Sequence, residues 1–349
     1  MRPVTVPFFI SHQGCPHTCV FCDQRIISGA YGTLPSTEQI SAKIELWRTT
    51  AGERPLEVAF FGGTFTALPE KVQAGLLAPL EPLLKAGKIN SVRISTRPDY
   101  IDPDCVAWLA ERGVSRIELG VQSLDDSVLE ASGRGHSAAD SLGAIRFIKD
   151  AGIEAGVQLM PGLPGDTPVF ALDSMERSIV AGADFLRIYP VVVLKGTELA
   201  RQYTAGEYIP LSFDRVVALC KLLLQRAMQA GIPVIRIGLQ ADASLNVDSM
   251  LAGFWHPALG QMVRSQLYSD LMDRFVAPGE RVTVQCNPAR LSDLVGIKRS
   301  NLEHQARRGI LMTMGSDITL EKEKIRVSAD NGSFTYSIVK DLHYSIYEV

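Results

Sequence analysis

The chain has 349 residues, 46% of them hydrophobic and 21% charged, which excludes a disordered or fibrous protein and leaves room for one large domain or two unequal ones. Its 35 Lys and Arg against 38 Asp and Glu give a net charge of −3, too even to draw the whole surface toward nucleic acid or an anionic membrane, so any such partner is met locally. No apolar run approaches the roughly 18 residues of a membrane helix, and the first residues lead into a strand-like run rather than a signal peptide, so a cytoplasmic protein is expected.

The first strand is expected at Val4–Ile10, and Gly14-Cys15-Pro16-His17-Thr18-Cys19-Val20-Phe21-Cys22 follows it directly. Six cysteines are too few for a disulfide scaffold in a chain of this size, yet three of them crowd into eight positions as C-x3-C-x2-C. Three thiolates on one short loop can hold three irons of a [4Fe–4S] cluster and leave the fourth open. An open iron can be chelated by the amino and carboxylate groups of S-adenosylmethionine, and one electron then cleaves the sulfonium to a 5′-deoxyadenosyl radical. Gly14 and Pro16 suit a tight loop, and Phe21 can shield the cluster from water. A structural zinc site with His12 or His17 as fourth ligand needs similar residues. Cys105, Cys220 and Cys286 stand singly and read as small buried hydrophobes.

Strand-like runs and segments of helical length then alternate. A helix over Thr37–Arg48 precedes a strand at Leu56–Phe61, which ends in Gly62-Gly63-Thr64, a turn where backbone can approach a ligand with no Cβ in the way. One helix over Glu70–Ala86 leads to a strand at Ser91–Ser95 and then Thr96-Arg97-Pro98-Asp99, where Arg97 can fork onto an anion or pair with Asp99. After a helix at Pro103–Arg112 comes a strand at Arg116–Val121. Glu118 and Gln122 are even-spaced there and are expected on one face, where a carboxylate and an amide are costly unless they bind something. Arg134-Gly135-His136 follows Asp125–Ala131, and its His136 can shuttle protons, contact a ligand or simply cap a helix.

A helix at Ala138–Ala151, a strand at Ile153–Met160 and the constrained Met160-Pro161-Gly162-Leu163-Pro164-Gly165 come next. A helix at Pro168–Ala181 and a strand at Asp184–Val191 bring Arg187, Tyr189 and Lys195 to the sheet's C-terminal rim. A helix at Phe213–Ala230, with Ala218, Leu219, Leu222, Leu223 and Ala227 on one face, leads to a last strand at Ile232–Ile237. This alternation predicts parallel strands joined by crossovers, in an α/β barrel or an open doubly wound sheet, with ligands where strands end and loops begin. From about Gly253 the rhythm changes. Strands at Arg281–Gln285, Asp317–Leu320 and Lys324–Ser328, with short helices around Pro288–Val295 and Lys298–Arg308, predict a small α+β appendage. Lys298, Arg299, Arg307 and Arg308 against Glu303 make a basic stretch suited to RNA.

The cysteine spacing after a first strand resembles the radical S-adenosylmethionine superfamily. Phe60-Phe61-Gly62-Gly63-Thr64-Phe65, Ser95-Thr96-Arg97-Pro98-Asp99-Tyr100, Glu118-Leu119-Gly120-Val121-Gln122-Ser123-Leu124, Arg134-Gly135-His136, Leu159-Met160-Pro161-Gly162-Leu163-Pro164-Gly165-Asp166 and Ile188-Tyr189-Pro190 resemble, within it, the catalytic subunit family of elongator. The resemblance spans about residues 4 to 240. It implies a partial (β/α)6 TIM-like barrel over 1–240, followed by an α+β domain over 241–349. It also implies a [4Fe–4S] cluster on Cys15, Cys19 and Cys22, with S-adenosylmethionine at its open iron. Gly62, Gly63 and Thr64 are then expected at the methionine amino group, Thr96 and Arg97 at its carboxylate, Glu118 and Gln122 at ribose, carboxylate or substrate, Met160 at the adenine, and Phe21 beside the cluster. Tyr189 and Lys195 are the catalytic candidates.

The resemblance further implies a tRNA or other RNA substrate and an electron donor such as flavodoxin or ferredoxin. A metabolite substrate, as for oxygen-independent coproporphyrinogen oxidase, and a non-catalytic iron–sulfur protein are the alternatives. The elongator family adds an acetyltransferase-like domain after the barrel. The 109 residues after 240 are short of a typical domain and carry no acetyl-CoA-binding glycine signature, so the radical barrel without that domain is expected.

Overall fold

The computed structural model describes residues 3–16, 18–23, 27, 34–239, 247–330 and 332–348. By their contacts the residues form two compact units, one of Met1–Leu211 with Leu239–Phe254 and one of Ser212–Gly238 with Trp255–Val349.

In the first unit the apolar runs become strands β1 (Val4–Phe9), β2 (Leu56–Phe61), β3 (Ser91–Thr96), β4 (Val114–Gln122), β5 (Glu154–Leu159) and β6 (Phe185–Ile188). They pair in sequence order and every pair is parallel. The parallel sheet curls into a partial barrel, the expected α/β architecture. Buried on both faces, these strands read as near-continuous apolar runs, and Val58, Ala59, Phe60, Ile94, Ile117, Leu119 and Val157 have no exposed surface.

The connecting helices are α1 (Thr37–Ala51), α2 (Glu70–Leu77), α3 (Glu81–Lys85), α4 (Pro103–Glu111), α5 (Asp126–Ala131), α6 (Ala138–Asp150), α7 (Pro168–Val180) and α8 (Glu198–Thr204). Their starts are written in the sequence. Ser36 and Ser137 form capping boxes with Gln39 and Asp140, and Asp102 and Thr167 cap helices that begin with proline. Each such cap is worth about 1 kcal/mol. The single helix expected over Glu70–Ala86 is instead two, α2 and α3. Pro82, at the start of the second, has no N–H to carry the ladder across.

The second unit holds α9 (Phe213–Gln229), β8 (Val234–Ile237), α10 (Leu259–Phe275), α11 (Leu291–Val295), α12 (Ser300–Arg307) and α13 (Ile338–Asp341). It also holds a four-stranded sheet of β10 (Arg281–Cys286), β11 (Leu311–Ser316), β12 (Lys324–Ala329) and β13 (Gly332–Ser337). The sheet order is β11-β10-β12-β13, parallel between β10 and β11 and antiparallel elsewhere. Helix α9 buries Leu219, Leu222 and Leu223, about 1.5–3 kcal/mol each. The Gln225 amide on the same helix donates to the carbonyls of Ile338 (2.9 Å) and Leu342 (2.6 Å), and Lys221 pairs with Asp270 at 2.7 Å.

The α+β character of this segment agrees with expectation, but Asp317–Leu320 is a turn rather than a strand. The Asp317 carboxylate accepts from the Thr319 N–H (2.8 Å) and hydroxyl (2.6 Å), and this Asx turn ends β11. The remaining strands, β7 (Val193–Leu194) and β9 (Met250–Ala252), form a small antiparallel ribbon in the first unit.

Candidate functional site

The cysteine loop is laced to the turn after β2. The Ile10 N–H donates to the Phe61 carbonyl (2.7 Å), His12 N–H to Gly62 (2.9 Å) and Thr64 N–H to Gln13 (2.9 Å). His12, at φ 58°, and Gly14, at φ 72°, turn the chain back over this ledge. A Cβ on Gly14 would lie 2.3 Å from the Thr64 carbonyl oxygen, and one on Gly63 would lie 2.5 Å from the carbonyl oxygens of both Ile10 and Gln13. The sequence reading gave the room at Gly62-Gly63 to a ligand. In the structure the space beside Gly63 is filled by backbone of the cysteine loop itself.

All six cysteines are free thiols. Cys15 is exposed, Cys22 half-buried and Cys19 buried. Cys15 Sγ lies 3.4 Å from the Thr64 hydroxyl, and the Cys22 N–H donates to the Cys19 carbonyl (3.1 Å). Val20 pins the loop at both of its peptide groups, its N–H donating to Ser132 (3.1 Å) and its carbonyl accepting from Leu199 (2.7 Å). Phe21 and Cys19 lie in one apolar cluster with Val128, Leu163, Val191 and Leu199, and Met160 packs against it. Of the two histidines named as alternative ligands, His12 faces Asp23 with Nε2 at 3.7 Å, and His17 lies outside the described residues. Among the described residues no three His, Cys, Asp or Glu side chains close on one point, as a single-ion cage requires.

Two arginines organise the rim next to the loop. Arg97 is buried and grips Asp99 with both arms (Nε to Oδ1 2.9 Å, Nη2 to Oδ2 3.0 Å) while also donating to the Arg134 carbonyl. Its fork is thus committed to the internal pair. Arg134 donates from Nη1 to Cys19 Sγ at 3.1 Å and from Nη2 to the Gly120 carbonyl at 2.6 Å. Sequence reasoning weighed only the histidine of the Arg134-Gly135-His136 stretch. The signal for the arginine was there, a cation directly after a short helix and ahead of a glycine. His136 is buried, and burial, reinforced by Arg134 and Arg97, pushes its pKa down to about 4, so it is neutral near pH 7.

Thr96 hydrogen-bonds to Thr66, hydroxyl to hydroxyl at 2.6 Å. The expected common face of Glu118 and Gln122 does not follow from strand period. The register shifts between Leu119 and Gln122, and Gln122 sits at φ 70°, its amide oxygen accepting from Gln158 at 3.2 Å. Glu118 belongs to a buried charge ladder. Glu57 accepts from Arg93 Nη2 (2.7 Å), Glu118 takes Arg93 Nη1 (3.3 Å) and Arg187 Nε (3.2 Å), and Arg187 Nη1 donates to the Tyr189 hydroxyl (3.0 Å). The Arg93 and Arg187 guanidiniums both lie over the Phe61 ring, 5.1 and 5.3 Å from its centre. Lys195 is exposed and makes none of the ion pairs among the described residues. The loop after β5 is closed on itself. The Gly162 N–H donates to Asp166 (2.8 Å), whose carboxyl burial pushes up to about 6, and the Tyr208 hydroxyl donates to the Gly162 carbonyl (2.6 Å).

In the second unit the basic stretch divides. Arg308 is tied to Asp273 (2.8 Å) and to the Val276 carbonyl, and His304 also reaches Asp273 (3.0 Å). Lys298, Arg299 and Arg307 stay exposed and make none of the ion pairs among the described residues. Among those residues no helix is long and apolar enough to cross a membrane.

Residues 9–173 match the radical SAM superfamily and residues 183–269 the radical SAM C-terminal domain. A tRNA uridine(34) acetyltransferase of Methanocaldococcus jannaschii is 28% identical over 288 residues, 70% of this chain and 52% of that one. Elongator complex protein 3 of Schizosaccharomyces pombe is 27% identical over 192 residues, 49% of this chain and 35% of that one. A solved structure of Methanocaldococcus infernus Elp3 lacking residues 1–46 has a similar fold, with a TM-score of 0.60 at 23% identity over 78% of this chain and 62% of that one. The chain spans about half the length of the archaeal acetyltransferases it matches.

Proposed function

Because this chain belongs to the radical SAM superfamily, we propose that it is an RNA-modifying radical enzyme, with residues 1–240 as its radical module and 241–349 as an appendage that meets RNA through Lys298, Arg299 and Arg307. The observation that carries the reading is the laced loop. Three free thiols at C-x3-C-x2-C sit on the Gly63 turn at the C-terminal rim of a parallel sheet, with a guanidinium on one sulfur.

The superfamily uses a [4Fe–4S] cluster and S-adenosylmethionine, and the donor set fits: Cys15, Cys19 and Cys22 would hold three irons and leave one for the methionine end of S-adenosylmethionine. When bound, the group would supply the low-potential electron on which reductive radical chemistry with S-adenosylmethionine depends.

The chain's own residues do the rest. Phe21, Val128, Leu163 and Leu199 exclude water from Cys19, while exposed Cys15 leaves a side of the loop open to an electron donor of the flavodoxin or ferredoxin kind. Arg187 holds the Tyr189 hydroxyl in place as an acceptor, which orients the phenol toward a substrate. Thr64, Thr96, Gln122 and Met160 remain the expected contacts to S-adenosylmethionine. The RNA assignment is supported by the names of the relatives and by the three exposed cations.

The test is anaerobic reconstitution with iron and sulfide, followed by measurement of 5′-deoxyadenosine with dithionite as reductant, with and without bulk tRNA. Wild type is expected to form deoxyadenosine, faster with tRNA, and Cys19→Ala none. No product from the reconstituted wild type defeats the enzyme reading. Product that tRNA leaves unchanged, with an unaltered modified-nucleoside profile in cells lacking the gene, defeats the RNA reading.

A further inference from the structure

Among the described residues Arg93, Arg97 and Arg134 are buried and Arg187 is half-buried, and all but Arg134 have carboxylate partners. Arg93 holds Glu57 and Glu118, Arg187 holds Glu118 and Arg97 holds Asp99. Arg134, with 6% of its surface exposed, makes none of the ion pairs among the described residues. Its Nη1 faces the Cys19 sulfur at 3.1 Å, its Nη2 faces the Gly120 carbonyl and its Nε is buried without a hydrogen-bond partner. Cys19 is itself 7% exposed and walled by apolar side chains, so the pair sits where water screens it little.

An uncompensated cation in such a place is costly unless an anion belongs beside it. Among the described residues the candidate at hydrogen-bond distance is the sulfur. The guanidinium is also held rigidly. The Arg134 N–H donates to the Leu129 carbonyl (3.0 Å) after the Gly133 turn, and its carbonyl is gripped by Arg97, itself locked to Asp99.

We propose that Arg134 is a positioning residue that sets the reduction potential of the cluster by holding a fixed positive charge and a hydrogen bond on the Cys19 ligand sulfur. The inference rests on the reading of this loop as the seat of a [4Fe–4S] cluster. Reduction moves one electron from the reductant onto an already anionic thiolate-bound group, with no bond made or broken. A buried cation at the ligand sulfur favours the more negative state, and charge and hydrogen bonds at the sulfurs are among the levers that tune such potentials.

The experiment compares wild type, R134Q and R134K after reconstitution, by iron and sulfide content and by an EPR-monitored redox titration without S-adenosylmethionine. R134Q is expected to load iron like wild type but to reduce less readily by about tenfold, a midpoint about 59 mV more negative for a one-electron couple. R134K keeps the charge and is expected to fall between the two. A loaded R134Q that titrates with wild type, or an R134K that titrates with R134Q, overturns the proposal. Loss of iron from both variants also overturns it, since the guanidinium then merely holds the loop. A wild type that takes up no four-iron cluster refutes the underlying reading instead.

Discussion

Replacing Gly63 by alanine tests whether the turn after β2 exists to seat the cysteine loop. The added Cβ would lie 2.5 Å from two backbone oxygens, of Ile10 and Gln13, where real Cβ atoms essentially never come closer than 3.0 Å. Neither oxygen can yield cheaply, because Ile10 accepts from the Gln13 N–H and Gln13 accepts from the Thr64 N–H, both at 2.9 Å. Overpacking of this kind costs about 1–3 kcal/mol and a lost hydrogen bond about 0.5–1.5, together about 2–4 kcal/mol. In a body of this size that lowers Tm by about 2–4 °C for each kcal/mol. The assay is thermal unfolding of the reduced apo protein beside iron uptake on reconstitution. G63A is expected to lose on both counts. G75A, in α2 with nothing within 4 Å of the new methyl, is expected to gain about 0.4–1 kcal/mol and load normally. A G63A protein that melts and loads like wild type refutes the argument.

Glu118→Gln leaves buried Arg93 and half-buried Arg187 with their shared anion gone, so urea unfolding should report a loss of about 3–5 kcal/mol, whereas Glu154→Gln, at the exposed end of the Arg116 pair, should cost under about 1. Equal midpoints for the two variants would show that the ladder is not buried as described. Burial pushes the Cys220 thiol up to about 12 and those of Cys105 and Cys286 to about 11. Brief iodoacetamide treatment at pH 8 should therefore modify exposed Cys15 and spare those three until the chain is unfolded, and peptide mapping that finds Cys220 labelled in the folded protein contradicts this. His136, held at about pH 4 against about 6.5 in the unfolded chain, binds its proton more readily when unfolded, so stability falls as pH drops from 6.5 to 4, by about 1.36 kcal/mol per unit at most. Asp166, raised to about 6, opposes this slope between about pH 4 and 6, so the readout is the difference between wild type and His136→Gln, which should lose the histidine's share. Parallel pH profiles would refute it.

The parts of this molecule legible in its sequence are those governed by local chemistry. Strands β1 to β6 could be read because burial makes them near-continuous apolar runs, even with the charges of Glu57, Arg93, Glu118 and Arg187 among them. The cysteine loop could be read because ligand spacing is a property of one short segment. Reading failed where a distant partner decides. The Gly62-Gly63 turn looks the same whether its missing Cβ makes room for a ligand or for the backbone of Ile10 and Gln13, and only the fold distinguishes them. Glu118 could be recognised as an inward-facing charge, but its partners come from β3 and β6. Period-two reasoning broke at Gln122 because an irregularity in β4 carries no sequence mark as clear as proline does at Pro82. In the basic stretch, Arg307 and Arg308 are neighbours in sequence, yet Asp273 takes one and leaves the other to solvent.

The bond from the Leu199 N–H to the Val20 carbonyl also has a temporal side. Leu199 lies 179 residues after Val20 in the chain, so the strut that closes the cysteine loop is made much later than the loop itself. At about 5–20 residues per second, a ribosome needs roughly ten to forty seconds to travel from Val20 to Leu199. Through that interval the nascent chain carries three accessible thiols on a loop with one anchor missing. Iron delivered during synthesis would meet floppy ligands, and oxidants would meet unguarded ones. Cluster insertion is therefore expected to follow the emergence of α8, and a ribosome-stalled chain ending before Leu199 should hold iron less firmly than one ending beyond α8.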